Sequence, residues 1–483
     1  MFRGVDISKR NVNQTFQLVL DTELRIYYEG DYFPKFYRND KCFMKKSCLI
    51  ILILLLNILM GYSQITTNEQ PISVQKGLDE ITKNTITKSS SFIDLPIPDM
   101  DIVYSEDAER EKDYTVSQRT AVPIHVSLNL HQDGIWTSLK DGGKIWQLCI
   151  RAKDAKAIDF VFDKFWLPDG GKFFIFNPVT KETIGAVTSQ YLRGNKAVPN
   201  RLSTGIVKGD LVVLEYYQPK EVNEAPIISI SKVYYSYRDV PAFNNSCSYN
   251  VNVNCSEGNN WQREKRAVAL VNRKFDQGSV WGSGFLVNNI QNNFSPLFIT
   301  ANHCLKYENI IKDAIDDPDL SDWVFYWGYE TSNCISSMPP IYINKTTIGA
   351  TVLANNNDYA DFALLQLTQT PWDLTNYLPY HLGWDCSGNS GTGGVCIHHP
   401  KHDVKKISTH NMTPNTTSYQ SSPYVLWGVQ WISTPNGHCI TEPGSSGSPL
   451  INNNHKVIGQ LKGGDATCDE LTNTEHFGKF SVS

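Results

Sequence analysis

Apolar residues in this chain come in short runs, many of them alternating, that turn pairs interrupt. Ile124-His125-Val126-Ser127-Leu128-Asn129-Leu130, Lys144-Ile145-Trp146-Gln147-Leu148-Cys149-Ile150 and Ala157-Ile158-Asp159-Phe160-Val161-Phe162 are three such runs. Lys172–Phe176 and Leu211–Tyr217 are two more, and Asp141-Gly142-Gly143 and Asp169-Gly170-Gly171 supply turns between runs. Alternation puts successive side chains on opposite faces of a strand, whereas apolar residues at helical spacing are scarce here. The chain therefore reads as all-β. Its 41% hydrophobic and 11% aromatic content suffices for packed cores, and 483 residues predict roughly three domains as a soft prior. A net charge of −5 without any basic block gives a nucleic-acid partner no footing.

The amino-terminal part has a different character. Met44-Lys45-Lys46-Ser47-Cys48 leads into the apolar run Leu49–Met60 and then Gly61-Tyr62-Ser63-Gln64. A basic start, an apolar run too short to span a bilayer and small residues before a cut after Ser63 read as a secretory signal over 44–63. No cysteine follows to accept lipid, so a lipoprotein is not expected, nor is stable membrane insertion after signal cleavage. Residues 1–43 fit neither a signal nor a domain and read as a misannotated upstream extension; a cytoplasmic tail on an uncleaved anchor is the alternative. Residues 65–120 are polar and Ser/Thr/Lys-rich, hence expected to be loosely ordered. Residues 121–238 are β-rich and sandwich-like.

Chemistry concentrates in Gly444-Ser445-Ser446-Gly447-Ser448-Pro449-Leu450. A Ser between small residues, followed by an apolar strand, is a candidate nucleophile, and the N–H groups of Gly444 and Ser446 can converge on an oxyanion. By itself such a run is a common turn signal. Upstream, Phe298-Ile299-Thr300-Ala301-Asn302-His303-Cys304 delivers a His at a strand end, and Asp361-Phe362-Ala363-Leu364-Leu365 opens a strand with an Asp. Each has a bland reading, a structural histidine and a turn aspartate. Together His303, Asp361 and Ser446, separated by 58 and 85 residues, follow the chymotrypsin-type order and not that of subtilisins or α/β-hydrolases.

From about Cys247 onward the chain resembles the secreted bacterial lysyl endopeptidases. The resemblance runs through Ser246-Cys247, Val253–Gly258, Gly282–Asn289, Thr300–Cys304, Asp361–Leu365, Gly383-Trp384-Asp385 and Ile397–Pro400. It continues through Val429-Gln430-Trp431, Thr441–Pro449 and Gly459-Gln460-Leu461 with Gly463-Gly464. It implies two antiparallel six-stranded β-barrels of the trypsin-like fold with the triad between them, over residues 241–483. Residues 64–240 would then be a pro-region that assists folding and blocks the cleft until removed; a permanent binding module is the alternative reading. A processing boundary near Arg238-Asp239-Val240-Pro241 suits self-cleavage after a basic residue.

The eight cysteines from Cys247 on form an even set, in keeping with an oxidising compartment. The resemblance implies Cys247–Cys468 and Cys255–Cys334 bridges, and Cys386–Cys396 would close a short Gly/Ser loop. Cys304 and Cys439 remain, paired by arithmetic alone. No Cys-x-x-Cys or His-x-x-x-His spacing appears, so no metal is expected; His398-His399 beside His402 is the nearest approach. No cofactor is required either.

By the same resemblance, Glu475 in Thr474-Glu475-His476-Phe477-Gly478-Lys479 stands where the family carries an Asp at the base of the S1 pocket. Lys462, Gly463 and Gly464 fall on the strand that pairs with substrate, with Lys462 at a position the family fills with His. Trp427 or Trp431 would shield the triad Asp. The expected function is a secreted, monomeric serine endopeptidase made as a zymogen. It would cut protein or peptide substrates after Lys, with Arg left open. The chain stops at Ser483, directly after the strand that should line S1, so the protease domain reads as truncated at its carboxy terminus. A catalytically degenerate secreted β-rich binding protein is the alternative.

Overall fold

The computed structural model describes residues 69–78, 82, 92–112, 117–190, 195–239, 245–306, 318–335, 345–356, 359–374, 377–420 and 422–483. The expected signal and the upstream extension lie outside these.

The alternating runs become three sheets, with antiparallel pairing nearly throughout. The first has Phe92–Asp94, Lys144–Arg151, Leu211–Gln218, Lys172–Phe176 and Thr183–Val187 in that order, with Ile135–Ser138 beside Lys144–Arg151. Its Trp146, Leu148 and Ile150 share a core with Phe160, Phe162 and Val233 on the strands Ala157–Trp166 and Ile227–Ser236 of a second sheet. Two faces closing on one apolar layer make the leading segment a sandwich.

That second sheet does not stop near residue 240. Its order is Thr346–Ile348, Val324–Trp327, Val268–Phe275, Gly278–Leu286, Arg119–Asn129, Ile227–Ser236, Ala157–Trp166 and Asn200–Ser203. The join between leading and later strands is Ala121 opposite Ser279 and Arg119 opposite Val280. Leu297–Ala301, Phe362–Leu367 and Ala350–Asn356 continue the later part. Thr346–Ile348 and Ala350–Asn356 are separated only by Gly349, so the two ends of that run of strands meet through the chain itself. The third sheet holds Lys406–His410, Gly394–His398, Pro449–Asn452, Lys456–Gly464, Glu475–Lys479, Ser422–Val429 and Asn415–Tyr419. With Val207–Lys208 beside Ala157–Trp166 and Gly383–Trp384 beside Lys456–Gly464, these two sheets have twelve and eight strands, with no closed six-stranded ring among the described residues.

Two expectations are corrected. Residues 65–120 are not uniformly loose, because Met100–Arg110 is a helix. Asp99 caps it by accepting from the Ile102 N–H at 3.2 Å, with Asp101 in its first turn and Arg110 in its last. Asp107 on that helix, 3% exposed, holds Arg119, Tyr237 and Arg238. Arg238 is also paired with Glu111 at 2.7 Å. The basic side chain expected to mark self-processing is therefore clamped onto the leading segment and is not presented to a cleft.

Of the expected disulfides, Cys255–Cys334 is formed. Cys247 and Cys468 are neighbouring thiols joined by a hydrogen bond. The Cys386–Cys396 bridge is not formed: Cys386 is exposed, while Cys396 is buried within Gly394–His398, where it interacts with Cys439. Cys304 lies beside His303, and the Cys439 sulfur lies 3.5 Å from His398 Nε2, so Cys304 and Cys439 are not partners.

Candidate active site

The antiparallel pairing of Leu297–Ala301 with Phe362–Leu367 places Ala301 opposite Phe362. One step beyond each strand end, the chain must bring residue 302 against residue 361, and the Asn302 N–H donates to the Asp361 carbonyl at 2.9 Å. His303 follows in the short turn Asn302–Leu305. Its backbone N–H donates to Asp361 Oδ1 at 2.9 Å and its Nδ1 meets Oδ2 at 2.7 Å. The second contact leaves Nε2 as the free face of the ring, the arrangement a general base needs. Asp361 is fully buried and sits at φ 55, a left-handed conformation that costs about 1–3 kcal/mol and that the surrounding contacts must hold. The preceding Ala360 carbonyl accepts from Gln460 Nε2 at 2.7 Å.

The nucleophile loop is fastened on several sides. Ser283 N–H donates to the Ser446 carbonyl at 3.0 Å, Ser283 Oγ to the Gly444 carbonyl at 2.8 Å, and Gly447 N–H to Leu461 O at 2.9 Å. Gly447 has φ +83, and a Cβ there would lie 2.3 Å from Thr300 Oγ1. The Ser445 N–H is used by Glu442 O, whereas the Gly444 and Ser446 N–H groups donate to no acceptor among the described residues. Two idle amides flanking an occupied one are the donor set an oxyanion requires. Ser446 Oγ has no hydrogen bond to His303 among the described residues. Burial alone pulls His303 down, but the Asp361 carboxylate and the Cys304 sulfur outweigh it and hold the imidazole up at about 10.

Behind this loop lie three buried histidines. His398 bridges Ser445 Oγ at 2.8 Å and Ser408 Oγ at 3.0 Å, and His399 Nδ1 meets the Asp403 carbonyl at 3.0 Å. His402 packs against Trp281. Burial pushes His398 and His402 down to about 3. No grouping of metal-ligating side chains occurs among the described residues.

Glu475, 1% exposed, lies at the start of Glu475–Lys479 opposite Gly464. A Cβ on Gly464 would come within 2.2 Å of its carboxylate, so that glycine is what admits the acid. Thr441 Oγ1 donates to Glu475 Oε2. Burial lifts the carboxyl to about 8, against the pull of the Thr441 hydroxyl and a backbone hydrogen bond at Ala466. Gly463 lies under Tyr419, which stacks on His476 at 4.3 Å between ring centroids. Thr441 received no role from the sequence; its place just ahead of the nucleophile loop was the only signal.

Lys462 does not join this set. Its Nζ lies 3.9 Å from Asp361 Oδ2, and the side chain is 8% exposed. The register between Lys456–Gly464 and Glu475–Lys479 shifts between Leu461 and Gly463. That bulge turns Lys462 out of step with its neighbours and toward the triad carboxylate. Trp427 and Trp431 do not take the shielding role: Trp427 donates to Ile458 O at 3.1 Å under Lys479, and Trp431 packs edge-on against Phe477.

The site thus combines a mostly β architecture, a buried His303–Asp361 pair and a fastened Ser446 loop. Residues 243–478 match the family model described as lysyl endopeptidase, C-terminal domain. Lysyl endopeptidase of Pseudomonas aeruginosa is 27% identical over 299 residues, 57% of this chain and 60% of that protein. That match and that relative make the chain similar to the lysyl endopeptidases over residues 243–478; it spans about 60% of the curated relative's length. Among solved structures, the active form of the Rv3671c protease from M. tuberculosis is 17% identical, covering 45% of this chain and 77% of that one at a TM-score of 0.30. HtrA-type protease AlgW with tripeptide is 14% identical, covering 47% and 60% at a TM-score of 0.32.

Proposed function

We propose that the chain is a secreted serine endopeptidase, made as a zymogen, that hydrolyses peptide bonds after basic residues, Lys foremost. The two later sheets are then the two barrels of a trypsin-like enzyme. The observation that carries the reading is the double contact of buried Asp361 with His303 beside two idle loop amides.

Ser446 Oγ attacks the carbonyl carbon after P1 while His303 Nε2 takes its proton. Asp361 keeps Nδ1 protonated and stabilises the imidazolium. The Gly444 and Ser446 N–H groups receive the oxyanion. His303 then protonates the leaving amine, and water repeats the sequence on the acyl-enzyme. Glu475 supplies the negative end of S1. Gly463 and Gly464 leave the substrate strand room to pair.

The test is labelling of the folded, processed protein with a fluorophosphonate, followed by cleavage profiling on a complex peptide digest. Labelling at Ser446, its loss in Ser446→Ala, and cuts after Lys or Arg are expected. A folded protein that does not label would instead be a catalytically degenerate β-rich binding protein.

A further inference from the structure

We propose that residues 92–239 stay seated on the catalytic part after the chain is cut, as a non-covalent second subunit, and leave the cleft open. This rests on the zymogen reading above. The interface has the makeup of a protein interior. Leu270, Trp281, Val324 and Tyr326 of the catalytic part belong to the same buried cluster as Phe160 and Ile206 of the leading segment. Trp281 is fully buried and its Nε1 donates to Thr120 Oγ1 at 2.9 Å. The Ile206 N–H donates to the Tyr326 hydroxyl at 3.0 Å.

The charged groups make separation harder still. Lys274, on the catalytic part, is fully buried, and among the described residues its ammonium is bonded from across the interface, by Asp159, Ser203 Oγ at 2.9 Å and the Thr204 carbonyl at 3.0 Å. Asp322, also fully buried, is held by Arg201, whose Nε donates to Oδ1 at 2.6 Å. Arg273 reaches Ser117 Oγ at 2.9 Å. Release would strip the partners from Lys274 and Asp322 and expose a large aromatic patch at once, losses that far exceed the entropy gained from one cut bond. None of the hydrogen bonds or ion pairs of residues 69–239 reaches His303, Asp361, Ser446 or Glu475 among the described residues. The seat is on the flank of the first barrel, and blockade of the cleft does not follow from it.

The experiment uses the full chain carrying Ser446→Ala, with a recognition site for an unrelated protease inserted between Asp239 and Asn245. After complete cutting, both fragments should elute together at the intact mass in gel filtration. Separation with a folded catalytic fragment would overturn the proposal. Arg201→Ala removes a partly exposed partner and should fold; it should speed exchange of the bound fragment for a labelled one about tenfold. Unchanged exchange would likewise count against the interface. With Ser446 intact, the cut complex should react with fluorophosphonate while both fragments still co-elute; reaction confined to fractions that have lost the leading fragment means a plugged cleft and overturns the proposal. Absence of reaction in every fraction, with the fragments still co-eluting, would fail the protease reading alone.

Discussion

Glu475 gives the most exacting test of the proposed specificity pocket. Its carboxyl is buried, with no cation paired to it among the described residues, and burial lifts it to about 8. At pH 7 only about a tenth of the molecules then carry the charge a P1 ammonium needs, and at pH 9 about nine-tenths do. The ratio of kcat/KM for a Lys substrate to that for its Met analogue should therefore climb about tenfold between these pH values, equivalent to about 1.4 kcal/mol. Taking the ratio removes the titration of His303, which both substrates share. Glu475→Gln keeps an acceptor for Thr441 but cannot ionise, so its ratio should be flat and the Lys preference should fall about a hundredfold or more, as expected for an ammonium buried without its counter-ion. Fluorogenic peptides differing only at P1, read from pH 6 to 10, supply the data. A flat ratio in the parent protein, or a climb that survives in Glu475→Gln, refutes the reasoning. The same group has a stability signature. Its folded pKa lies above its unfolded value, so between about 4.5 and about 8 the folded protein holds the extra proton and stability falls as pH rises. The Gln variant lacks that slope.

Lys462→Met removes the cation 3.9 Å from Asp361, so the carboxylate should hold the protonated imidazole more tightly and the acid limb of kcat/KM should move to higher pH; Lys462→Arg should largely restore it, and an unmoved limb would rule Lys462 out as a positioning residue. His398 and His402 titrate at about 3 when folded, far below the ordinary imidazole value, so the unfolded chain binds more protons between about 3 and about 6.5 and stability is lost as pH falls through that window. Each contributes about 2 kcal/mol of loss by pH 5, measurable by urea unfolding at pH 5 and 7 in the Glu475→Gln variant, which lacks the opposing slope, and equal midpoints there would contradict the buried neutral assignment. Gly447→Ala puts a methyl against Thr300 Oγ1 at positive φ and should cost about 2–4 kcal/mol, seen as a lowered Tm together with lost fluorophosphonate labelling; a Tm unchanged from the parent would mean the loop is looser than its contacts imply.

The His303–Asp361 pair was legible because its geometry is set by one strand pairing, and each residue advertises its strand end. The loop around Ser446 stands out in the sequence because small residues crowd both sides of it ahead of a buried strand, and its role as nucleophile belongs to the proposed function. Lys462 was not. Reading it together with Gly463 and Gly464 assumes an unbroken alternation, and a bulge between Leu461 and Gly463 cancels that parity without marking the sequence. The cysteine partners failed for a related reason: Cys386 and Cys396 are near in the chain, but one is on an exposed loop and the other points into a sheet interior. Helix Met100–Arg110 was hidden by polar composition, since its stability derives from Asp107 bonding to Arg119, Tyr237 and Arg238, which no local pattern records. The junction at Trp281 and Lys274 was equally silent, because an apolar strand looks the same whether its cover comes from its own domain or another.

The split pairing of Gly278–Leu286 has a consequence for production of the enzyme. One side of this strand is shared: Phe285 and Leu286 pair with Leu297–Ala301, while Ser279 and Val280 pair with the strand that starts at Arg119. A recombinant fragment beginning at residue 241 would present Ser279 and Val280 as a bare sheet margin next to an uncovered indole at Trp281. Unsatisfied margins of that kind recruit strands from other molecules. Such a fragment should precipitate or self-associate unless residues 92–239 are supplied in trans, which makes the leading segment a solubility requirement of the folded enzyme.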